Sequence, residues 1–215
     1  MQRYAAEIYR LQQDHEQVSL SALREHVDAS HQAISRMMKR LEEGGYLRHE
    51  LYQGVRLTER GEHIAMPALR RHRLSEVFLV KVMGYDWAQA HELTDSFELG
   101  VNDELEDRMD ELTGSPTRCP HGEPIPSKDG VIVFPDDVCL AELGSGIKGS
   151  ISRVRTHDFD KLTYIAKLGL VPGREFSLLS CAPFQGPLRL ELDNRDDFVI
   201  GYELAKVIWV EVDTS

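Results

Sequence analysis

Five side chains in two stretches have the types and the spacing to hold a divalent cation: His72 and Glu76, then His91, Asp95 and Glu98. In a helix advancing about 100° per residue, His72 and Glu76 fall about 40° apart, and His91, Asp95 and Glu98 share an arc of no more than about 60°. Two imidazoles and three carboxylates would then converge between two helices. Carboxylate oxygens favour Mn(II), and imidazole widens the choice to Fe(II) or Zn(II). Each piece also has a plainer reading. A His four residues before a Glu is often only a helix-surface pair worth a few tenths of a kcal/mol, and the stretch holding Asp95 and Glu98 is acidic almost throughout.

The elements that must position these groups are legible in the spacing of apolar residues. Gln2 to Gln13 carries Tyr4, Ile8 and Leu11 at helical intervals, and Ser19 caps a helix over Ala22 to Val27. After a break at Asp28 to Ser30, His31 to Glu43 places Ile34, Met38 and Leu41 on one stripe, and Gly44-Gly45 ends it. Tyr46 to His49 and Gly54 to Leu57, joined through Tyr52-Gln53-Gly54, predict a short hairpin, so the amino-terminal pattern is that of a winged helix. Thr58 caps a long helix over Glu62 to Gly84, kinked at Pro67, and Asp86 caps another running to about Leu112, stopped by Gly114.

Five of the nine prolines fall between Pro116 and Pro135, which predicts an extended connector. Beyond it, Gly146 to Thr156, Phe176 to Leu179, Pro187 to Leu192, Asp197 to Ile200 and Lys206 to Val212 predict strands, with a helix at Phe159 to Leu168. This is a small β-barrel pattern. The expected fold is α+β: a winged helix over 1–62, a helical region over 63–128, a linker over 129–145 and the barrel over 146–215.

A major groove about 12 Å wide admits one helix whose first turn faces base edges, and His31 to Glu43 suits that role. Gln32 is matched to adenine, Arg36 to guanine, and Ser30 discriminates little; His31, Ser35, Lys39 and Arg40 are placed to hold phosphates, with Arg24, Arg48 and the hairpin tip beside them. The net charge of −11 looks wrong for a binder of double-stranded DNA until the chain is divided. Residues 1–75 hold 12 Lys+Arg against 10 Asp+Glu, while the remainder holds 13 against 26. Positive charge is thus kept near the reading helix and an acidic remainder limits loose association.

In order and spacing, several segments resemble the diphtheria-toxin-repressor family of metal-dependent transcriptional repressors, the DtxR and MntR group. They are Ala5-Glu7-Ile8-Tyr9 through Leu11, Ser35 to Gly45 with Tyr46-Leu47, Leu57-Thr58 with Gly61, and His72-Arg73-Leu74 with Glu76. Further on come Asn102-Asp103-Glu104, Cys119-Pro120-His121-Gly122 with Pro124-Ile125-Pro126, and Leu168-Gly169-Leu170-Val171-Pro172-Gly173, the last similar to a FeoA-like small barrel. The resemblance covers nearly the whole chain. It implies a homodimer built through the middle helices, two metal sites per subunit, and repression of metal-uptake genes in response to metal. It also implies that His72, Glu76 and His91 form one site, completed by a barrel carboxylate, Asp158 or Asp160. Asp95 and Glu98 match positions of the other site, and Cys119 stands where manganese-responsive members contribute a ligand. Manganese is the expected cofactor, with Fe2+ as the alternative and Zn2+ able to substitute.

Two positions depart from the family pattern: Leu99 stands where a histidine is usual, and Arg3 where a methionine or aspartate is usual, and neither side chain binds a cation. The second site is therefore expected to be lost, weakened or rebuilt from Glu7 or His121. A winged-helix regulator responding to iron or to a non-metal ligand is the rival reading.

Other classes fare worse. Gly144-Ser145-Gly146-Ile147-Lys148-Gly149 fits a G-x-G-x-x-G pattern but opens a strand rather than a helix, and His91-Glu92 has Asp95 where a zinc protease needs its second histidine. No catalytic grouping emerges, and the chain is expected not to be an enzyme. A barrel groove binding a proline-rich segment is a further possibility, though its aromatics are few. Three scattered cysteines, with no apolar run of about 18 residues and no leader, predict a cytoplasmic chain with no membrane association.

Overall fold

The computed structural model describes residues 1–13, 17–27, 29–50, 54–193 and 197–213. Eight helices and eight strands are found among them: α1 (Gln2–Leu11), α2 (Leu20–His26), α3 (His31–Glu43), β1 (Leu47–Glu50), β2 (Gly54–Leu57), α4 (Glu59–Lys81), α5 (Trp87–Phe97), α6 (Asp103–Thr113), β3 (Val138–Cys139), β4 (Lys148–Val154), α7 (Phe159–Leu168), β5 (Glu175–Cys181), β6 (Leu188–Leu192), β7 (Phe198–Ile200), α8 (Tyr202–Ala205) and β8 (Ile208–Val212). They form two compact units, 1–72 with 126–132, and 73–125 with 133–215.

The first unit is the winged helix. Ser19 and Ser30 cap α2 and α3 by accepting from Ala22 N and Ala33 N, which satisfies amide donors that a helix start leaves unpaired. Ile8, Leu23, Ile34, Leu41, Leu47, Val55, Leu57 and Leu69 are buried together. β1 and β2 pair antiparallel from Leu47↔Leu57 to Glu50↔Gly54; the expected tip at Tyr52-Gln53 lies outside the described residues. Thr58 caps α4 by accepting from Gly61 N. Gly61 has a packing reason: a Cβ there would stand 1.9 Å from Tyr46 O, so only glycine lets α4 start against the end of the reading domain. The connector is not free chain, since Ser127 N donates to Val131 O and Ile132 packs on this core.

In the second unit the expected barrel is a six-stranded antiparallel sheet of order β3-β8-β4-β5-β6-β7, with no pairing between its edges among the described residues. Ile151, Val154, Leu162, Ile165, Leu170, Phe176, Leu178, Leu190 and Val210 form its core, joined by Trp87 and Ala88 of α5. A smaller cluster holds Leu74, Val77, Val101, Met109, Cys119 and Ile125.

One expectation fails here. The single helix expected from Asp86 to about Leu112 is two. α5 ends at Phe97, a 3-10 turn covers Glu98–Gly100, Val101 is extended and buried, and Asn102 caps α6 by accepting from Leu105 N. Burying Val101 beside Leu74, Val77 and Met109 outweighs the continued helical spacing.

Candidate metal centre

Glu76, on α4 and 3 % exposed, is the group around which donors gather. His91 of α5 brings Nδ1 to 2.9 Å from Glu76 Oε1, and His121 brings its own Nδ1 to 3.4 Å from Oε2. Cys119 Sγ lies 3.8 Å from His121 Nδ1. Glu76, Cys119 and His121 are all buried and offer donor atoms within 4.8 Å of one another. From the segment between β4 and α7, His157 Nδ1 stands 3.3 Å from His91 Nε2.

Local chemistry explains each placement. Asp86 and Gln89 form a reciprocal capping box at the start of α5, and Trp87 in that first turn packs into the sheet core, which fixes the rotation of the helix and so His91. The Trp87 ring also stacks on His121, with centroids 5.0 Å apart. The loop carrying Cys119 and His121 is seated on β4, where a β-bulge between Ile151 and Arg153 breaks the register with β8. There Val154 N donates to His121 O at 2.8 Å, and a Cβ on Gly122 (φ 86°) would fall 2.0 Å from Ser152 O. The rest of the loop is held by charge: Glu123 pairs with Arg73 at 2.9 Å and Arg153 at 3.3 Å, Arg73 donates to Pro124 O, and Arg153 also pairs with Asp137 at 2.7 Å.

Burial pushes the Cys119 thiol well above its ordinary range. The Glu76 carboxylate adds to that effect, Arg73 opposes it, and Glu123 raises it further. Cys119 is therefore a neutral thiol in the metal-free chain and donates as thiolate only where a cation replaces its proton. His121 Nε2 is buried with no hydrogen-bond partner among the described residues. An unmet buried polar atom costs about 1–3 kcal/mol. The other ring nitrogen, Nδ1, faces the Glu76 carboxylate and the Cys119 thiol, and a buried imidazole, carboxylate and thiol gathered in this way fit a divalent ion.

The other expected ligands lie as follows. His72 is buried on α4, one turn before Glu76 and on the same face. Asp95 is exposed on α5 and Glu98 half-buried in the turn that follows, with oxygens within 4.8 Å of each other. Leu99 is 70 % exposed. Asp158 is occupied as the N-cap of α7, accepting from Lys161 N at 3.0 Å, and Asp160 is exposed in its first turn. The donor that this segment presents to His91 is instead His157, which the sequence reading passed over. His121 was named there only as a substitute ligand; its place two residues after Cys119, in a loop rich in proline and glycine, is the signal that marks it.

On α3, His31, Gln32, Arg36, Lys39 and Arg40 are exposed and Ser35 half-buried, while Ile34, Met38 and Leu41 turn to the core. The exposed Ser30 hydroxyl serves as the helix cap.

Comparison with known proteins matches three successive segments of the chain to family domains. Residues 1–55 match the iron dependent repressor N-terminal DNA binding domain, 58–127 the iron dependent repressor metal binding and dimerisation domain, and 138–212 the FeoA domain. The chain is 27 % identical over 220 residues to the iron-dependent repressor IdeR of Mycobacterium tuberculosis, covering 97 % of this chain and 95 % of that one. A manganese-dependent transcriptional repressor in complex with manganese superposes with a TM-score of 0.89 at 32 % identity, covering 98 % of this chain and 99 % of that one. IdeR of T. acidophilum gives 0.85 at 27 % identity, covering 99 % and 97 %.

Proposed function

The chain belongs to the iron-dependent, diphtheria-toxin-repressor family and is a metal-dependent DNA-binding transcriptional regulator; on that premise we propose that it is a cytoplasmic homodimeric repressor of metal-uptake genes that responds to Mn(II), and not an enzyme. The observation that carries the metal reading is the gathering of His91, Cys119 and His121 on the buried carboxylate of Glu76, with His121 Nε2 unsatisfied.

In this reading His72, Glu76 and His91 hold the ion, with Cys119 and His121 as neighbouring donors and His157 as the imidazole that takes the place expected of Asp158 or Asp160. Asp95 and Glu98 are the donors of a second, weaker site, for which Leu99 supplies nothing. A bound divalent ion supplies the positive charge that lets these carboxylates share one neighbourhood. The chain's own part is to hold the donors. Glu76 Oε1 and His91 Nδ1 face each other at 2.9 Å as the pair of donor atoms an ion would share, Trp87 orients His121, and Glu123 ties their loop to both Arg73 and Arg153.

At the other end Gln32 and Arg36 read bases, with Ser30 at the helix start, and His31, Ser35, Lys39 and Arg40 hold phosphates. Leu93, Leu99, Leu105 and Leu112 are 38–70 % exposed on α5, the 3-10 turn and α6, and supply the apolar face for a second copy. Two reading helices then meet half-sites about 34 Å apart.

Iron is the second reading, favoured by the number of imidazoles relative to carboxylates around Glu76. Zn(II) would substitute by raw affinity order. The test is fluorescence anisotropy on a duplex selected from a random pool in Mn(II). Affinity should fall at least about tenfold when chelator removes the metal, a coupling of about 1.4 kcal/mol; equal affinity in both conditions contradicts the proposal. Titrating Mn(II) and Fe(II) against each other in the same assay ranks the two ions.

A further inference from the structure

Within the first unit, Arg10 of α1 brings Nη1 to 3.1 Å from His72 Nε2. The other amino group of the same guanidinium donates to Glu7 Oε2, and Glu7 Oε1 lies 3.7 Å from His26 Nδ1. This cluster is largely removed from water, since the Arg10 and Glu7 side chains are 14 % and 6 % exposed and His72 is 5 % exposed. A guanidinium has five donors and no acceptor. The hydrogen bond therefore assigns the tautomer: His72 Nε2 carries the lone pair that Arg10 occupies, and the ring proton sits on Nδ1.

We propose that Arg10 is an internal competitor for His72 and sets the metal concentration at which the protein responds. The inference rests on His72 being a ligand, as proposed above. A metal ligated through Nε2 takes the lone pair that Arg10 now uses. Ligation through Nδ1 moves the ring proton to Nε2, which then donates and can no longer accept from an arginine. Either way a neutral His72 cannot serve a metal ion and Arg10 together.

Ligation thus releases one arm of Arg10, leaving it on Glu7. The consequence reaches the reading domain, because α1 also anchors the wing: the Gln12 side chain at its end accepts from Leu57 N at 2.9 Å. Neither the periodicity of α1 nor the spacing of His72 and Glu76 signals this contact, which joins residues 62 apart in the chain.

The test uses the full chain and Mn(II) alone, without DNA. Arg10→Met removes the donor while keeping an unbranched side chain, and Mn(II) should then bind about tenfold more tightly, the worth of one hydrogen bond to a charged group. Arg10→Lys retains a cation beside Glu7 and should fall between Arg10→Met and the unaltered chain; it remains informative if Arg10→Met folds poorly. Nitrogen NMR of the metal-free chain should show His72 Nε2 unprotonated, and Arg10→Met should allow both tautomers. Mn(II) affinity unchanged or weakened in both variants, or a protonated Nε2 in the metal-free chain, overturns the proposal. His72→Ala separates the two levels: undiminished Mn(II) affinity in that variant refutes His72 as a ligand and with it the competition, whereas reduced affinity there with no change in Arg10→Met refutes the competition alone.

Discussion

Replacing Glu76 by Gln preserves the shape of the most buried donor and removes its charge. The carboxylate faces His91 Nδ1 at 2.9 Å and His121 Nδ1 at 3.4 Å, and an amide of the same size can still hydrogen-bond to one imidazole. Without metal, the variant should therefore fold with nearly unchanged stability, since a buried charge is exchanged for a neutral group. With metal the outcome differs sharply. Changing a group that merely orients a ligand costs about 10–100-fold in metal affinity, so losing a charged ligand should cost at least about 100-fold.

At a free Mn(II) concentration of about 100 times the dissociation constant of the unaltered chain, binding adds about 2.7 kcal/mol, and a 100-fold weaker variant retains only about 0.4 kcal/mol. For a chain of this size that is a metal-induced rise in melting temperature of about 5–10 °C reduced to about 1–2 °C. The assay is a pair of thermal melts, in Mn(II) and in chelator, for each protein. A Glu76→Gln chain that keeps the full metal-induced rise refutes the placement of the ion beside Glu76.

Other perturbations test other parts of the account. Arg36→Ala should cost about 1–3 kcal/mol of operator affinity and relax specificity at one base position, whereas Lys39→Ala should weaken all sequences alike and lower the salt slope by about one, both read by anisotropy across a salt series. Gly122→Ala forces a Cβ to within 2.0 Å of Ser152 O at a φ of 86°, so the loop should lift from β4, with a lower melting temperature and loss of the metal-induced rise. The raised Cys119 pKa gives the metal-free chain a contribution to stability that is complete below the unfolded thiol's range and is lost as pH climbs above it toward the folded value; Cys119→Ser should flatten that alkaline decline in pH-resolved melts.

How far the sequence foretold the structure depended on whether the deciding forces were local. α3, α7 and β2 lie where spacing and caps place them, because Ser30, Gly44 and Asp158 act within a turn of their own positions. The division of 86–112 into α5 and α6 was not legible, since it depends on Val101 finding Leu74 and Met109 across the unit. Two-residue β3 left no period to read.

The same distinction runs through the candidate site. Helical spacing showed His72 with Glu76, and His91 with Asp95. Which barrel residue would face His91 was decided by a helix cap, which takes Asp158 and leaves His157 in front of the imidazole. The seating of His121 depends on a bulge in β4 about thirty residues further on, and no local pattern announces it.

The central claim is that a divalent ion lies among the donors around Glu76, and anomalous scattering from crystals grown with Mn(II) addresses it directly. An anomalous peak within coordination distance of Glu76 and at least one of His72, His91 and His121 is the predicted result. A fully folded chain with no peak beside Glu76, at Mn(II) concentrations that saturate DNA binding, contradicts the account.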